Sequence, residues 1–230
     1  MRKYFFVVLI LAVGIDLSHQ EDKCHSNKLQ DCLFILTTYA KEHDSPFPRN
    51  EEELKLQCSY LEDMRNCVYN YSRVCMTDLE RSLGDLILAG TAQSMKDMCN
   101  PSHSLYQNFL EQAECINDKY GGTKSCFEDA FATIEVLEET KSTDRIHILC
   151  CGVNRFRKCV GDYFEPVCSK SVVEFIDTIL EFVATEFALQ ICTSYEDYKQ
   201  GCPKLPSGEA IKGTYKNNLL GEFLDPFYRA

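Results

Sequence analysis

Apolar residues recur at a helical spacing in two long segments of the chain. Between Cys75 and Cys99 they return every three or four residues, and Thr77 with Glu80 matches the capping pattern that begins a helix. Residues 171–192 repeat this pattern with a broader apolar face opposite an acidic one. The spacing predicts two amphipathic helices, each about 22 residues long. The apolar face of the second consists of Val172, Phe175, Ile176, Ile179, Val183 and Phe187.

Shorter helices are predicted before each long helix. Two prolines interrupt the first pair, and Asn50 can cap the acidic start of the helix that follows. Ser171 with Glu174 offers a cap for the second long helix. Beyond Cys202 the periodicity disappears, so residues 203–230 are predicted to form an irregular tail. The shorter helices and the helix that bridges the two halves are expected near residues 26–42, 51–71, 103–119, 123–140 and 143–162.

Six cysteines recur in the same order in the two halves of the chain. Cys58 and Cys150 lie 92 positions apart, and Cys99 and Cys192 lie 93 positions apart. The residues between them agree in type, which indicates an internal duplication. We therefore predict an all-α fold of two duplicated, disulfide-stapled helical units, with about three helices each, packed as one compact domain. The units are residues 24–99 and 115–192, within a domain of residues 19–202.

The fourteen cysteines are expected to form seven disulfides. Cysteines eight or nine positions apart on one helix are separated by about 12 Å, whereas a disulfide needs Cα atoms within about 7 Å. Each cysteine must therefore reach a neighbouring helix, which favours a nested pairing among the 15 connectivities that six cysteines allow. The favoured pairs are Cys24–Cys75, Cys32–Cys67, Cys58–Cys99, Cys115–Cys168, Cys126–Cys159 and Cys150–Cys192, with Cys151–Cys202 for the two cysteines left over.

The chain begins with a segment typical of a secretory signal peptide. Residues 1–18 contain a short basic start, an apolar run and small residues, with cleavage expected between positions 14 and 20. An uncleaved anchor is the alternative interpretation of this segment. Together with the even number of cysteines, the segment predicts a secreted, extracellular protein. In such a protein, Asn70 in the sequence Asn-Tyr-Ser is a candidate for N-glycosylation.

Charge and motif content narrow the classes of function. The net charge of −11 disfavours nucleic acid as a partner, and no later segment is apolar enough for a membrane span. The pair Cys150-Cys151 is similar to a phospholipase pattern, but Asn154 stands where that enzyme needs histidine. No catalytic residue, metal ligand or cofactor site is predicted, and an enzyme is the disfavoured interpretation.

The repeated spacing resembles that of a known group of proteins. In both units, from Cys58 to Cys99 and from Cys150 to Cys192, the gaps between the cysteines that match in the two halves are 8, 7 or 8, and 23 residues. This pattern resembles cysteine-rich secreted helical proteins of arthropods related to the 27-kilodalton haemolymph glycoprotein family. The resemblance implies an extracellular, disulfide-bonded glycoprotein of a body fluid, and it implies no catalytic residue.

The breadth of the second apolar face leads to the functional expectation. Such a face usually packs into a core, but it can also line a cavity for a fatty or aromatic ligand. We expect a secreted, non-enzymatic extracellular-fluid protein that binds or carries a small apolar ligand. The alternative is a venom, salivary or immune effector that acts by contact with another protein. The ligand-facing candidates are Phe175, Ile176, Ile179, Val183 and Phe187.

Overall fold

The computed structural model describes residues 24–43, 45–141, 144–184, 192, 202–217 and 219–229. Within these ranges the fold is all-α and contains no strand. The leader predicted at residues 1–18 lies outside them. The helices are α1 (Ser26–Phe34), α2 (Thr38–Glu42), α3 (Glu51–Cys75), α4 (Asp78–Met98), α5 (Ser104–Lys119), α6 (Lys124–Glu139), α7 (Arg145–Val167), α8 (Lys170–Ala184) and α9 (Leu219–Arg229).

The predicted caps explain where two of the long helices begin. The Asn50 side chain accepts a hydrogen bond from the Glu53 backbone N–H at the start of α3. Thr77 and Glu80 form the predicted reciprocal capping box at the start of α4. The cap of α8 differs from the prediction, because the hydroxyl of Ser169 accepts from the N–H of Val172. In each case a side-chain oxygen satisfies an N–H that has no partner in the helix.

All fourteen cysteines are bonded, in the same seven pairs that the sequence predicts. The Cα atoms of each pair are between 4.9 and 6.0 Å apart. Three disulfides lie within each unit, and Cys151–Cys202 fastens the C-terminal segment to α7. The disulfides fix the helices of each unit to one another, which leaves the packing of the two units to the hydrophobic core.

One hydrophobic core spans both units. The bridging helix α5 packs against both long helices, α4 of the first unit and α8 of the second. Its residues Phe109, Ala113 and Ile116 are buried in the same cluster as Leu54 and Met64 of α3. The two units therefore form one compact domain, as predicted. No helix in the described part of the chain is long and apolar enough to cross a membrane.

The two long helices use the same apolar stripe differently. Val172 of α8 is 2% exposed, whereas Leu79, which holds the matching position in α4, is 69% exposed. One turn further on, Ile176 packs against the core, whereas Leu83 is 49% exposed. The duplication thus preserved the helical pattern, but only the second unit buries this part of its stripe.

The prediction of an irregular tail over residues 203–230 is wrong. Short 3-10 turns over Gly208–Ala210 and Thr214–Asn217 lead into the amphipathic helix α9. Gly221 permits close approach in this helix, because a Cβ there would overlap the carbonyl of Tyr215. Glycine and proline give this segment a low helix propensity, so the sequence did not predict a helix here. The helix is stabilised by its packing on the core.

Candidate functional site: an apolar cavity

A partly open cavity of about 130 Å³ lies between α5, α6, α7, α8 and α9. Its walls are aromatic and aliphatic side chains, with two hydroxyl-bearing residues among them. The lining consists of Phe47, Phe109, Ala113, Ile116, Tyr120, Thr123, Phe127, Phe156, Val160, Phe164, Phe175, Ile176, Ile179, Leu180, Phe223, Leu224 and Phe227.

The second long helix supplies one wall, in line with the sequence-based candidates. Phe175, Ile176 and Ile179 line the cavity, and Phe175 meets Phe109 of α5 edge-on at 5.5 Å between ring centres. Phe187 and the side chain of Val183 lie outside the described residues. The helical spacing in α8 therefore brought three of the five candidates to one site.

Most of the lining comes from residues that the sequence analysis did not single out. Helix α7 contributes Phe156, Val160 and Phe164, and α9 contributes Phe223 and Phe227. Both sets follow the spacing of one helical face, so the signal was present in the sequence. The missing information was which helices face each other across the cavity.

Acidic residues of α6 hold the C-terminal wall in place. The carboxylate of Glu135 accepts hydrogen bonds from the backbone N–H of Lys212 at 2.7 Å and of Tyr215 at 3.2 Å. Burial alone would raise the pKa of Glu135, which is 5% exposed, but the N–H donors of residues 212–215 together hold it below its usual value. Asp129 accepts from the Gly208 N–H at 2.6 Å in the same way. Charge-assisted bonds thus fasten the segment that precedes α9.

Aromatic stacking completes the attachment of this segment to α6. The ring of Tyr215 stacks on Phe131 at 4.1 Å between ring centres, and Tyr228 of α9 meets the same ring edge-on at 5.3 Å. The hydroxyl of Tyr228 donates to Glu128 at 3.0 Å. These contacts therefore hold helix α9 in place as one wall of the cavity.

Tyr120 and Thr123 carry the two hydroxyl groups of the lining. The Thr123 hydroxyl donates to the backbone carbonyl of Tyr120 at 2.7 Å, so its proton is engaged. The Tyr120 side chain is 9% exposed. Burial raises the pKa of Tyr120, so the phenol is protonated at neutral pH.

A second, smaller cavity of about 60 Å³ adjoins the first. Phe47, Phe109, Ile179 and Phe227 line both, so these four side chains are the partition between them. The smaller cavity also touches the side chain of Gln57.

A separate cluster brings together the atoms of His147, Cys151 and Cys202. The two sulfur atoms are bonded to each other, so they are not thiolates and cannot serve as metal ligands in this state. The candidate glycosylation site Asn70 is exposed near the end of α3.

Comparisons of the chain with protein-family models, with curated proteins and with solved structures find no match.

Proposed function

We propose that the protein binds a small apolar ligand and carries it in an extracellular fluid, without catalysis. The observation that carries this proposal is the cavity of about 130 Å³ with its aromatic and aliphatic lining. An engineered cavity of about 150 Å³ lined by similar side chains in another protein stays free of water and binds benzene. A space of this size and chemistry therefore favours an apolar molecule over water.

The packing around the cavity supports a retained void. Protein interiors are usually packed without spaces much larger than a water molecule, and an unfilled cavity lowers stability. Here the side chains around the void are held by disulfides close to it. Cys126 on α6 is bonded to Cys159 on α7, next to the lining residues Phe127 and Val160. The covalent bonds limit the collapse of helices that would otherwise fill the space.

Secretion is part of the proposal. Disulfides persist in oxidising compartments, and all fourteen cysteines of this chain are paired. The sequence begins with a segment typical of a signal peptide, and the cysteine spacing resembles secreted haemolymph proteins of arthropods. These features support a carrier that works outside the cell.

The first test is to identify what the protein carries when eukaryotic cells secrete it. Native mass spectrometry of the purified protein, followed by solvent extraction, is expected to find one small apolar molecule per chain. The protein should also take up toluene, measured as a rise in Tm with toluene concentration. The proposal would be contradicted if the secreted protein contains no small molecule and its Tm does not change with toluene or with lipid extracts.

Two substitutions at duplicated positions provide a matched pair for this test. Ile176→Phe adds volume at the cavity wall, whereas Leu83→Phe adds it at the equivalent exposed position of the first unit. The first is expected to abolish the effect of toluene and the second to leave it unchanged. Ala113→Leu fills the cavity from α5 and should act like Ile176→Phe.

A contact with another protein is the second candidate function, and exposed residues of α4 favour it. Leu79 and Leu83 present apolar side chains to solvent on one side of this helix. A photoreactive residue placed at Leu83 tests this candidate in the fluid that contains the protein, with the same residue at exposed Glu62 as control. A crosslinked partner specific to position 83 would support it, and equal labelling at both positions would contradict it.

A further inference from the structure

Helix α5 packs on the apolar stripe of α8 in the second unit. The disulfide Cys115–Cys168 fastens α5 to the chain just before α8 begins. The two helices are in contact, and the ring of Phe109 on α5 meets Phe175 on α8 edge-on at 5.5 Å between ring centres. Val172 of the stripe is buried in the same cluster as Phe109. In the unit where this stripe is covered, it is therefore a helix that packs on it.

The first unit presents the same stripe to solvent. Leu79 lies 93 positions before Val172 and is exposed, as is Leu83 one turn further along α4. The disulfide Cys24–Cys75 reaches this end of α4, as its counterpart reaches α8. Within the described part of the chain, however, no helix covers the two leucines. The duplication thus leaves room on α4 for a helix of the kind that α5 supplies to α8.

Carboxylates border the two leucines. Asp78 and Asp85 are exposed and lie seven residues apart on α4, so they occupy one side of the helix about 10 Å from each other. Glu80 is exposed on the same turn as Leu79. Arg81 is the basic residue of this stretch, and it pairs with Asp78. The net charge of −11 adds a long-range attraction for cations. The surface therefore favours a partner with basic side chains beside apolar ones.

We propose that Leu79 and Leu83 are the docking surface for an amphipathic helix of another protein, with apolar residues on one face and lysine or arginine along its edge. The helix packs along α4 as α5 packs along α8, and its basic residues pair with Asp78 and Asp85. A second copy of this acidic chain lacks the matching charge. This inference rests on the second candidate function, for which it names the kind of partner, and it is independent of the cavity.

The test uses two fluorescent helical peptides, one built from leucine and lysine and the other from leucine and glutamate. Binding to the full chain secreted by eukaryotic cells is measured by fluorescence anisotropy. The lysine peptide is expected to bind more tightly. Combining Leu79→Asn with Leu83→Asn should weaken it at least tenfold, because two leucines no longer bury apolar surface against it. The matched control combines Leu56→Asn with Leu149→Asn, at two other exposed leucines, and should change binding less than about twofold.

Asp85→Asn tests the contribution of charge. It is expected to weaken the lysine peptide about threefold at low salt and to have no effect in about 0.5 M salt, because salt screens exposed pairs. Asp63→Asn, at an exposed position of α3, is the control and should have less effect. Equal binding of the lysine and glutamate peptides would overturn the requirement for a basic partner. Equal weakening by the two pairs of leucine substitutions would overturn the location of the site.

Other occupants of the stripe give different results, and each would overturn the proposal. A dimer seen in sedimentation velocity and lost when Leu79 and Leu83 are both replaced would identify a second copy. Binding to phosphatidylcholine vesicles, lost in the same variant, would identify a membrane. A crosslink from a photoreactive residue at position 83 to the part of the same chain that precedes Cys24 would show that the site is filled from within.

The outcomes for the two candidate functions remain separate. The rise in Tm with toluene is expected to be unchanged when Leu79 and Leu83 are replaced, so a failure of peptide binding leaves the carrier function standing. Crosslinking at position 83 in the natural fluid tests the second candidate function itself. If the lysine peptide binds through the two leucines but the fluid yields no crosslinked partner, the docking surface is supported and that function is contradicted.

Discussion

The substitution Glu135→Gln is expected to loosen the C-terminal wall of the cavity. The carboxylate of Glu135 accepts from the backbone N–H groups of Lys212 and Tyr215 with its two different oxygen atoms. Glutamine keeps one acceptor and replaces the other with an NH2 group, which cannot accept. One N–H then loses its partner, and the remaining bond loses the help of the charge. We expect the attachment of this segment to weaken by about 2 kcal/mol.

Hydrogen–deuterium exchange of the amides in α9 measures this change, because the helix follows the segment that Glu135 holds. A loss of about 2 kcal/mol makes exchange by local opening about 30-fold faster. Glu139→Gln is the matched control on the same helix. Among the described residues, Glu139 accepts a hydrogen bond from the side chain of Lys212 at the exposed surface, where an ion pair contributes little.

The pH dependence follows from the sign of the pKa shift. The pKa of Glu135 is lowered in the folded protein, so its contribution is fully present above the ordinary glutamate pKa of about 4.3. It disappears as pH falls through the lower, folded pKa. The difference between the natural protein and Glu135→Gln should therefore be complete at neutral pH and shrink in strong acid. Equal exchange in both proteins at neutral pH, or an equal effect of Glu139→Gln, would refute this reasoning.

Three further substitutions test separate features. Gly221→Ala is expected to lower the free energy of unfolding by about 1–3 kcal/mol, measured by thermal unfolding, because the new Cβ would overlap the backbone of Tyr215. Gly121→Ala is the control, because a Cβ there meets nothing within 4 Å, and equal Tm values for the two variants would contradict the clash. Asn50→Ala should lose about 1 kcal/mol in urea unfolding, whereas Asn50→Ser keeps an acceptor for the Glu53 N–H at the start of α3 and should lose less. Asn70→Gln should remove the mass of one N-glycan from the protein secreted by eukaryotic cells, and identical masses of the natural and substituted proteins would show that the site is unused.

The disulfide framework could be predicted because helices restrict cysteines strongly. Once Cys58 and Cys67 are placed on one helix, their separation along the axis forbids a bond between them, and each must reach another helix. Because the second unit repeats the spacing of the first, the same pairing of cysteines applies to both units. Helix periodicity likewise brought Phe175 and Ile179 to the cavity. These conclusions need only local geometry and the order of elements along the chain.

The cavity itself could not be predicted from the same information. The stripe that includes Val172 is buried, whereas its repeat at Leu79 is exposed, although the two helices carry the same pattern. The difference lies in which neighbour covers each helix, and that depends on contacts between elements distant in sequence. A pattern shows that a face is apolar, but only packing decides whether it fills a core, borders a void or meets solvent.

The C-terminal wall was missed for a related physical reason. Helix α9 contains Gly221 and Pro226, which lower helix propensity, and it is too short to be stable alone. Its stability comes from contacts such as the stacking of Tyr215 on Phe131, and from the hydrogen bonds that the backbone N–H groups of the preceding segment donate to Glu135. Glu135 lies in an apolar stretch of α6, and nothing in that stretch indicates that its carboxylate accepts hydrogen bonds from the backbone of Lys212 and Tyr215.

The disulfide between Cys151 and Cys202 sets how α9 can move. If the helix leaves the cavity and residues 203–218 are released from α6 as well, this segment still holds α9 at a root-mean-square distance of roughly 20–25 Å from Cys202, the value for a flexible linker of this length. Its effective concentration at the docking site is then in the millimolar range, so modest contacts are enough to bring it back. Opening and reclosing of this wall are first-order events, and their rates should not change when the protein is diluted.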